Sequence, residues 1–248
     1  MPAIQKTAKK LKSFVKSEAI THRGMTIPAK HLRFGGSNFI DDEAFLSSGE
    51  QEAQRLQSSF GLSRNMALLD LGCGPGRLPI GILSEIGEIR AYRGVDVSQT
   101  PIEWCSKYIE KEHPTFQFTH MDIKNERYNP SGSSSVGLPF PDASFDVIYL
   151  YSVFSHMKTP DIQAYLTEFK RLLKTTGKVF LTAFTEDNVP EMEENPPNYK
   201  QDWKGALHCV RYEKKFFKKL LKGYGFTIDK LKYGTETDGQ SGFYISSV

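Results

Sequence analysis

An acidic residue and three alternating glycines directly follow a short apolar run in the stretch LLDLGCGPGR, residues 68–77. Asp70 precedes Gly72, Gly74 and Gly76. Glycines at this spacing let a ligand approach the backbone closely, and a helix that begins here offers free N–H groups to a negatively charged group. The stretch therefore predicts a small-molecule site at a turn from strand to helix.

This glycine pattern differs from the dinucleotide-binding fingerprint G-x-G-x-x-G. When that fingerprint is aligned on Gly72, it requires a small residue at position 77, where the chain has Arg77. The pattern in this chain is instead acid-x-Gly-x-Gly-x-Gly. NAD is therefore not the expected ligand.

Seven predicted strands, separated mostly by helices, place this turn. The strands cover residues 65–72, 88–98, 115–122, 144–154, 178–184, 226–234 and 242–248, and the helices cover residues 76–87, 99–114, 159–177 and 211–225. Alternation of this kind predicts an α/β fold with a mostly parallel sheet and helices on both faces. The last two strands have no helix between them, which predicts a C-terminal antiparallel hairpin. In such sheets, ligands bind beyond the carboxyl ends of the strands.

Motifs at successive strand ends resemble those of class I S-adenosylmethionine-dependent methyltransferases. LDLGCGPG resembles the first motif, YRGVDVS ends the second strand with Asp96, and FTHMDI ends the third with Asp122. FPDASFDVIYLYSVFSHM and LLKTTGKVFLTAF resemble the later motifs. The resemblance covers roughly residues 30–248, and it implies a Rossmann-like fold and S-adenosylmethionine as cofactor. RFGGSNF, EWCSKYI, YNPSG and SVFSHM are also similar to a bacterial subgroup that modifies glycans and natural products.

The resemblance implies roles for individual residues. The glycines would lie beneath the methionyl part of the cofactor, Asp70 near its amino group, Asp96 at the ribose hydroxyls and Asp122 beside the adenine amino group. Asp96 and Asp122 could instead cap the turns after their strands. The predicted cofactor-binding set is Asp70, Gly72, Cys73, Gly74, Gly76, Arg77, Asp96, Val97, Met121, Asp122, Ile123 and Tyr151.

Two histidines are candidate catalytic bases. A hydroxyl acceptor must lose its proton on methylation, and a base with a pKa near neutrality suits that role. His156, after the fourth strand, is the first candidate, and His208, after the fifth, is the second; either could instead be a packing residue. Ser152 and Phe154 are expected to shape the pocket beside His156.

Two polar segments are predicted to cover the site. The insert at about residues 185–208 is long and proline-rich, and loops of this length are usually functional or disordered. HLRFGGSNFIDD, residues 31–42, is the second segment. The insert contains NPPNY, which resembles the Asn-Pro-Pro-aromatic signature of methyltransferases that act on amino groups. It lies beyond the fifth strand rather than the fourth, and Asn198 interrupts it, so we interpret it as loop.

The basic N-terminus contrasts with a nearly neutral body. The net charge is +3, of which residues 1–23 contribute +5 and the rest of the chain −2. Residues 1–30 are predicted to form a basic, helical extension of a methyltransferase domain over residues 31–248. Such a helix could contact a membrane surface or nucleic acid, or could simply be solvated. The three scattered cysteines predict neither a metal cluster nor a disulfide framework, which favours a cytoplasmic setting.

The predicted function is methyl transfer to a small or medium-sized acceptor, with O-methylation of a saccharide or natural-product hydroxyl favoured. One alternative is an RNA or protein methyltransferase that the basic N-terminus recruits. Another is a regulatory domain that binds S-adenosylmethionine without catalysis. Nucleic acid is not the expected partner, because the lysines of residues 211–225 fit a solvated helix face.

Overall fold

The computed structural model describes residues 17–34, 36–133 and 136–248. The strands are β1 (Ala19–His22), β2 (Met25–Pro28), β3 (Ala67–Leu71), β4 (Ala91–Asp96), β5 (Phe116–His120), β6 (Phe145–Leu150), β7 (Leu173–Glu186), β8 (Met192–Glu194), β9 (Val210–Glu213), β10 (Phe226–Lys232) and β11 (Ser241–Ser247). The α-helices are α1 (Asp42–Phe60), α2 (Arg77–Glu85), α3 (Gln99–Cys105), α4 (Thr159–Leu172) and α5 (Lys214–Gly223). Within these ranges, no helix is long and apolar enough to cross a membrane.

Seven strands form the central sheet in the order β10-β11-β7-β6-β3-β4-β5. β11 pairs antiparallel with both of its neighbours, and the remaining pairs along this order are parallel. The predicted α/β fold, with its mostly parallel sheet and closing hairpin, is therefore confirmed. The chain runs from β3 outward to β5 and then returns to β6 on the other side of β3. The turn after β3 thus lies where the strand order reverses, the usual ligand-binding position in such sheets.

Helices cover both faces of the sheet because each presents one apolar face to it. On one face, α4 and α5 bury Leu166, Phe169 and Phe217. On the other, α1, α2 and α3 bury residues such as Leu56 and Ile80. Each face of the sheet thus has its own hydrophobic core. The helices cover the faces and not the carboxyl ends of the strands, where polar residues are found.

The predicted helical extension is wrong for residues 19–28, which form the antiparallel hairpin β1–β2. Glu18, directly before β1, attaches the hairpin to α3 and to the residues that follow it. The carbonyl oxygen of Glu18 accepts from Trp104 Nε1 at 2.9 Å, and its carboxylate pairs with Lys107 at 2.7 Å. Arg23, one of the basic residues of the N-terminal segment, pairs with Glu43 and Glu50 on α1. Residues 1–16, with the remaining basic side chains, lie outside the described residues.

Several other boundaries differ from the predicted ones. Residues 173–177 belong to β7 rather than to the preceding helix, and residues 211–213 belong to β9 rather than to α5. The insert after β7 contributes β8, which pairs antiparallel with β9. Helix α1 was not predicted at all, although it has clear end signals: the Asp41 side chain accepts from Ala44 N at 2.9 Å, and Gly61 ends the helix at a φ of 70°.

Helices α1 and α2 cross at two glycines. A methyl group built on Gly81 would lie 2.1 Å from the carbonyl carbon and oxygen of Gly49, and one built on Gly49 would lie 2.3 Å from the Arg77 carbonyl oxygen. Only glycine at both positions allows the two backbones to approach this closely. The contact fixes α1 against the first turn of α2, next to the glycine-rich turn.

We expect Gly81→Ala to lower the free energy of unfolding by about 1–3 kcal/mol, because the added carbon forces the two backbones apart. In a chain of this size, each kcal/mol corresponds to roughly 2–4 °C in melting temperature. Gly223→Ala is the matched control, since its added carbon meets no atom within 4 Å. Calorimetry of both variants checks this, and equal melting temperatures would contradict the glycine contact.

Candidate functional site

A single cavity of about 830 Å³ opens at the carboxyl ends of the strands. The turn after β3, the ends of β4 and β6, the loop between β5 and β6, both predicted cover segments and the loop before β11 all contribute to its lining. Seven separate parts of the chain therefore meet at one site, at the edge that the topology predicts.

The glycine-rich turn has a backbone that few other residues could adopt. Gly72, Gly74 and Gly76 have φ values of 75°, 52° and 84°. A methyl group on Gly72 would lie 2.7 Å from Val153 Cγ2. Left-handed backbone and close approach both require glycine here, and the turn presents bare backbone to the cavity.

Asp96 ties the end of β4 to this turn. Its Oδ2 accepts from Gly74 N at 2.9 Å and its Oδ1 from Ser98 N at 2.8 Å. Burial raises the pKa of this carboxyl, while the two N–H donors oppose the rise. Each oxygen keeps a further lone pair for a ligand, so the side chain can both order the turn and accept hydrogen bonds from the cavity.

Asp70, the last polar residue of β3, is 2% exposed. Its carboxyl accepts a hydrogen bond from the Tyr92 hydroxyl. Burial raises its pKa to about 7, whereas the Tyr92 hydrogen bond and the positive charge of Arg77 act in the opposite direction. The carboxyl is therefore close to its titration midpoint at neutral pH. A cationic group placed beside it would favour the ionised form.

Most of the predicted site residues come together in this cavity. Those that line it are Asp70, Gly72, Cys73, Gly74, Arg77, Asp96, Val97, Met121, Ile123, Tyr151, His156 and His208. Gly76 is not among the lining residues. It directly precedes α2 and is packed closely, since a methyl group added to it would lie 3.1 Å from Cys105 Sγ. Asp122 does not line the cavity either, since its exposed carboxylate accepts from Asn129 Nδ2 at 3.0 Å. Phe154, expected in the pocket wall, is fully buried in the core.

His156 is held in one orientation and one tautomer. Its Nδ1 lies 2.9 Å from the Leu207 carbonyl oxygen, which can only accept, so Nδ1 carries the proton. Burial lowers the pKa of His156 to about 4, and the positive charge of Arg127 adds to this effect. The imidazole is therefore neutral at pH 7, with its lone pair on Nε2.

His208 reaches the same cavity from the insert between β7 and β9. Its Nδ1 lies 3.0 Å from the backbone nitrogen and 2.9 Å from the carbonyl oxygen of Lys204. Its ring meets Trp203 edge-on, with centroids 5.1 Å apart. Both predicted bases thus line one cavity, although they come from different loops.

Both predicted cover segments reach the cavity. Phe34 and Phe39 line it from the N-terminal segment, and Gln201 and Trp203 from the insert. The NPPNY stretch is loop, as interpreted from the sequence, and its Asn195 closes that loop by donating to Gly205 O at 2.8 Å and accepting from Cys209 N at 2.9 Å.

A buried polar network behind the cavity was not predicted. Arg55 of α1 forms a bidentate ion pair with Glu236, at 2.8 Å for each contact. The Tyr151 hydroxyl lies 3.0 Å from Thr237 Oγ1, and Glu52 accepts from Tyr149 at 3.0 Å. The sequence signal for this network was the polar stretch TETDGQ, residues 235–240, between β10 and β11. This loop is longer than a tight hairpin turn requires, which indicates that its polar side chains form contacts elsewhere.

Ser152 is held in a left-handed conformation at the end of β6, with a φ of 57°. Three contacts fix it: its N–H donates to Thr182 Oγ1 at 2.7 Å, Gln240 Nε2 donates to its Oγ at 2.8 Å, and Ser155 Oγ lies 3.2 Å away. Strained backbone of this kind persists where the surroundings over-determine it, most often at functional sites.

The lining fits S-adenosylmethionine on three observations. The glycine turn leaves space that side chains would fill, Asp96 has free lone pairs beside it, and buried Asp70 is poised to accept a positive charge. Apolar Val97, Met121 and Ile123 line the adjacent wall.

Comparison with known proteins gives one consistent result. A family profile described as a methyltransferase domain matches residues 68–177. An uncharacterized methyltransferase of Schizosaccharomyces pombe is 32% identical over 45% of this chain and 37% of its own length. The 27-O-demethylrifamycin SV methyltransferase of Amycolatopsis mediterranei is 29% identical over 63% of this chain and 53% of its own. The chain thus spans about half or less of these two relatives.

Solved structures share the fold. The 1,6-didemethyltoxoflavin-N1-methyltransferase of Burkholderia thailandensis, solved with bound S-adenosylhomocysteine, superposes with a TM-score of 0.56 at 16% identity. The match covers 94% of this chain and all of that one. The chain therefore shares the overall fold of that methyltransferase.

The raised pKa of Asp70 predicts a stability that falls between about pH 4 and pH 7 in the absence of ligand. In that window, the native carboxyl keeps a proton that the unfolded chain has lost, so raising the pH favours unfolding, by up to about 4 kcal/mol. Asp70→Asn cannot ionise and should remove this slope, so the variant gains stability relative to the wild type as pH rises.

Urea unfolding at pH 4.5, 6 and 7.5 measures this difference. Asp229→Asn, which removes an exposed carboxylate on β10, is the control and should follow the wild type. Parallel curves for Asp70→Asn and the wild type would show that the Asp70 carboxyl is already ionised in the native state.

Proposed function

We propose that this chain is a class I S-adenosylmethionine-dependent methyltransferase and that it methylates a hydroxyl group of a small or medium-sized acceptor. A saccharide or natural-product hydroxyl is the favoured acceptor. The observation that carries the proposal is the placement of a neutral histidine in the same cavity as the glycine turn and Asp96.

The chain's own residues would contribute mainly by positioning. When bound, S-adenosylmethionine supplies an activated methyl group on a sulfonium. The glycine turn and Asp96 would hold the cofactor, and the two cover segments would exclude water from the acceptor. Well-oriented reactions gain roughly 7–11 kcal/mol from such alignment, so little further catalysis is needed.

His156 would receive the hydrogen bond of the acceptor hydroxyl. Its Nδ1 is committed to Leu207, which leaves the Nε2 lone pair as the acceptor. A pKa of about 4 makes the imidazole a weak base, so its first role is orientation of the hydroxyl. Proton removal becomes favourable only as the hydroxyl acidifies during methylation.

Two alternatives from the sequence lead to different experiments. A nucleic acid or protein substrate recruited by the N-terminus would make activity depend on residues 1–16, and deleting only those residues leaves the β1–β2 hairpin intact. A regulatory domain would bind the cofactor without turnover. The free, buried thiols of Cys73, Cys105 and Cys209 accord with the predicted cytoplasmic setting.

Turnover assays separate these functions. The protein is incubated with S-adenosylmethionine and a panel of hydroxylated saccharides and natural products, and S-adenosylhomocysteine release is measured. We expect release with hydroxyl acceptors and an O-methyl signal in the NMR spectrum of the product. Binding of the cofactor without release on any acceptor would instead support a regulatory domain.

S-adenosylhomocysteine should raise the melting temperature, since a ligand at 100 times its Kd adds about 2.7 kcal/mol of stability. Asp96→Asn should weaken its binding roughly 10–100-fold, as expected for loss of hydrogen bonds to a charged group. The amide also places N–H₂ against the N–H donor of Gly74 or Ser98. Calorimetric titration measures Kd, with Asp229→Asn as control; unchanged affinity in Asp96→Asn would remove Asp96 from the cofactor site.

His156→Ala should lower kcat by about 10²-fold, the low end of general-base contributions, with little change in the Kd of S-adenosylhomocysteine. His156→Gln keeps an acceptor atom and should recover part of the rate. Because the base must be unprotonated and its pKa is about 4, the wild-type rate should fall only as the pH drops toward 4.

The measurement is a pH–rate profile with saturating cofactor and an acceptor from the panel. His113→Ala is the control, because His113 pairs with Glu88 on the surface. A packing role for His156 would instead lower the melting temperature and cofactor affinity while leaving kcat unchanged.

A further inference from the structure

The loop between β5 and β6 brings positive charge into the cavity beside His156. Arg127 and Lys124 line the cavity from this loop. The loop packs directly on the histidine: Asn125 Nδ2 donates to His156 O at 3.2 Å, and the ring of Tyr128 meets the imidazole edge-on at 5.4 Å between centroids. Arg127 Cζ lies over that same tyrosine ring, 5.4 Å from its centroid. The guanidinium thus lies next to the proposed acceptor-binding histidine.

The Arg127 guanidinium has no partner among the described residues. Its Nε is buried without a hydrogen bond, and no described carboxylate lies within 4.0 Å of the group. Lys158, in contrast, is paired: its Nζ lies 3.6 Å from Glu126 and 3.4 Å from Glu194. Buried donors are nearly always satisfied, so the unpaired Nε of a guanidinium that lines the cavity points to a ligand as its acceptor.

Tyr165 offers a second donor at the same cavity. The side chain is 2% exposed, and its hydroxyl forms no hydrogen bond with the parts of the chain that the structure describes. Aromatic side chains of Tyr128, Phe184 and Trp203 also line the cavity. Polar donors beside aromatic walls suit a planar, apolar body that carries a negatively charged group.

A carboxylate fits Arg127 better than a neutral group does. The planar guanidinium donates two parallel N–H groups, which match the two oxygens of a carboxylate. Lys124, exposed at the mouth of the cavity, adds a second positive charge. Asp161 also lines the cavity, but its carboxylate accepts from Lys158 N at 3.2 Å at the start of α4.

We propose that Arg127 forms a carboxylate-binding subsite, with Lys124 and Tyr165 in support, and that the methyl acceptor carries a carboxylate on a planar apolar body. This inference rests on the proposed function, because it names the class of its acceptor. It predicts that acceptors with a carboxylate bind better than neutral acceptors of the same shape.

Benzoate and benzamide are matched probes of this subsite, since they share shape and differ in charge. Each is titrated into the protein saturated with S-adenosylhomocysteine, and Kd is measured by calorimetry. We expect benzoate to bind at least about tenfold more tightly than benzamide, as a bidentate charge-assisted pair does. Arg127→Gln should abolish this preference, and Arg127→Lys, which keeps the charge but loses the planar fork, should retain part of it.

Lys215→Gln is the control variant, because it removes one positive charge from an exposed position on α5 and should keep the full preference. Melting temperature and S-adenosylhomocysteine affinity, measured on each variant, show that the protein is folded and the cofactor site intact. Equal binding of the two probes by the wild type, failure to bind either, or a preference that survives in Arg127→Gln would overturn the subsite.

Loss of S-adenosylhomocysteine binding in Arg127→Gln would also overturn it, since Arg127 would then contact the cofactor rather than the acceptor. The proposed function fails separately, through absent cofactor binding or absent turnover in the wild type. A protein that binds S-adenosylhomocysteine and turns over neutral acceptors, but shows no benzoate preference, would keep the proposed function and lose only the subsite.

Discussion

The backbone contact between Gly49 and Gly81 fixes α1 against α2, and the first residues of α2 line the cavity. Because α1 and α2 touch at glycine, the carbonyl oxygen of Ser48 comes within 3.2 Å of Arg77 Nη1. About two turns further along α1, Arg55 reaches Glu236 in the loop before β11. A side chain at either glycine would shift these contacts together, so the local absence of two methyl groups determines the geometry of a distant loop.

Burial shifts the pKa values of two cavity residues in opposite directions. It disfavours charge on both, so Asp70 near the glycine turn has a raised pKa and His156 on the acceptor side has a lowered one. At neutral pH, the imidazole is therefore uncharged and Asp70 is near its midpoint. Between them, Asp96 is satisfied by two backbone N–H donors and has lone pairs left for a ligand. The cavity carries less charge than its composition suggests, which suits a ligand that brings charges of its own.

The two sides of the cavity differ in how tightly their residues are held. Around Ser152, a hydrogen bond donated to Thr182 and one accepted from Gln240 fix a strained backbone, and Tyr151 is anchored to Thr237. On the acceptor side, the Arg127 guanidinium has no partner among the described residues. One rigidly held wall and one wall with unused donors are the arrangement expected when one ligand is constant and the second contributes its own hydrogen bonds.

The sequence by itself determined the sheet and the position of the glycine turn, because apolar periodicity and glycine spacing are local signals that the backbone obeys directly. It also placed twelve of the fourteen predicted site residues at one cavity, since strand ends in a parallel sheet converge at one edge. Asp122 shows the limit of that reasoning: position after a strand is local, but the direction of its side chain depends on Asn129, seven residues further along the loop. The hairpin at residues 19–28, the ion pair of Arg55 with Glu236 and the packing of Arg127 beside His156 were decided only by tertiary structure. These contacts join residues that are distant in the chain or that sit in irregular loops, and neither periodicity nor spacing records which side chains such loops bring together.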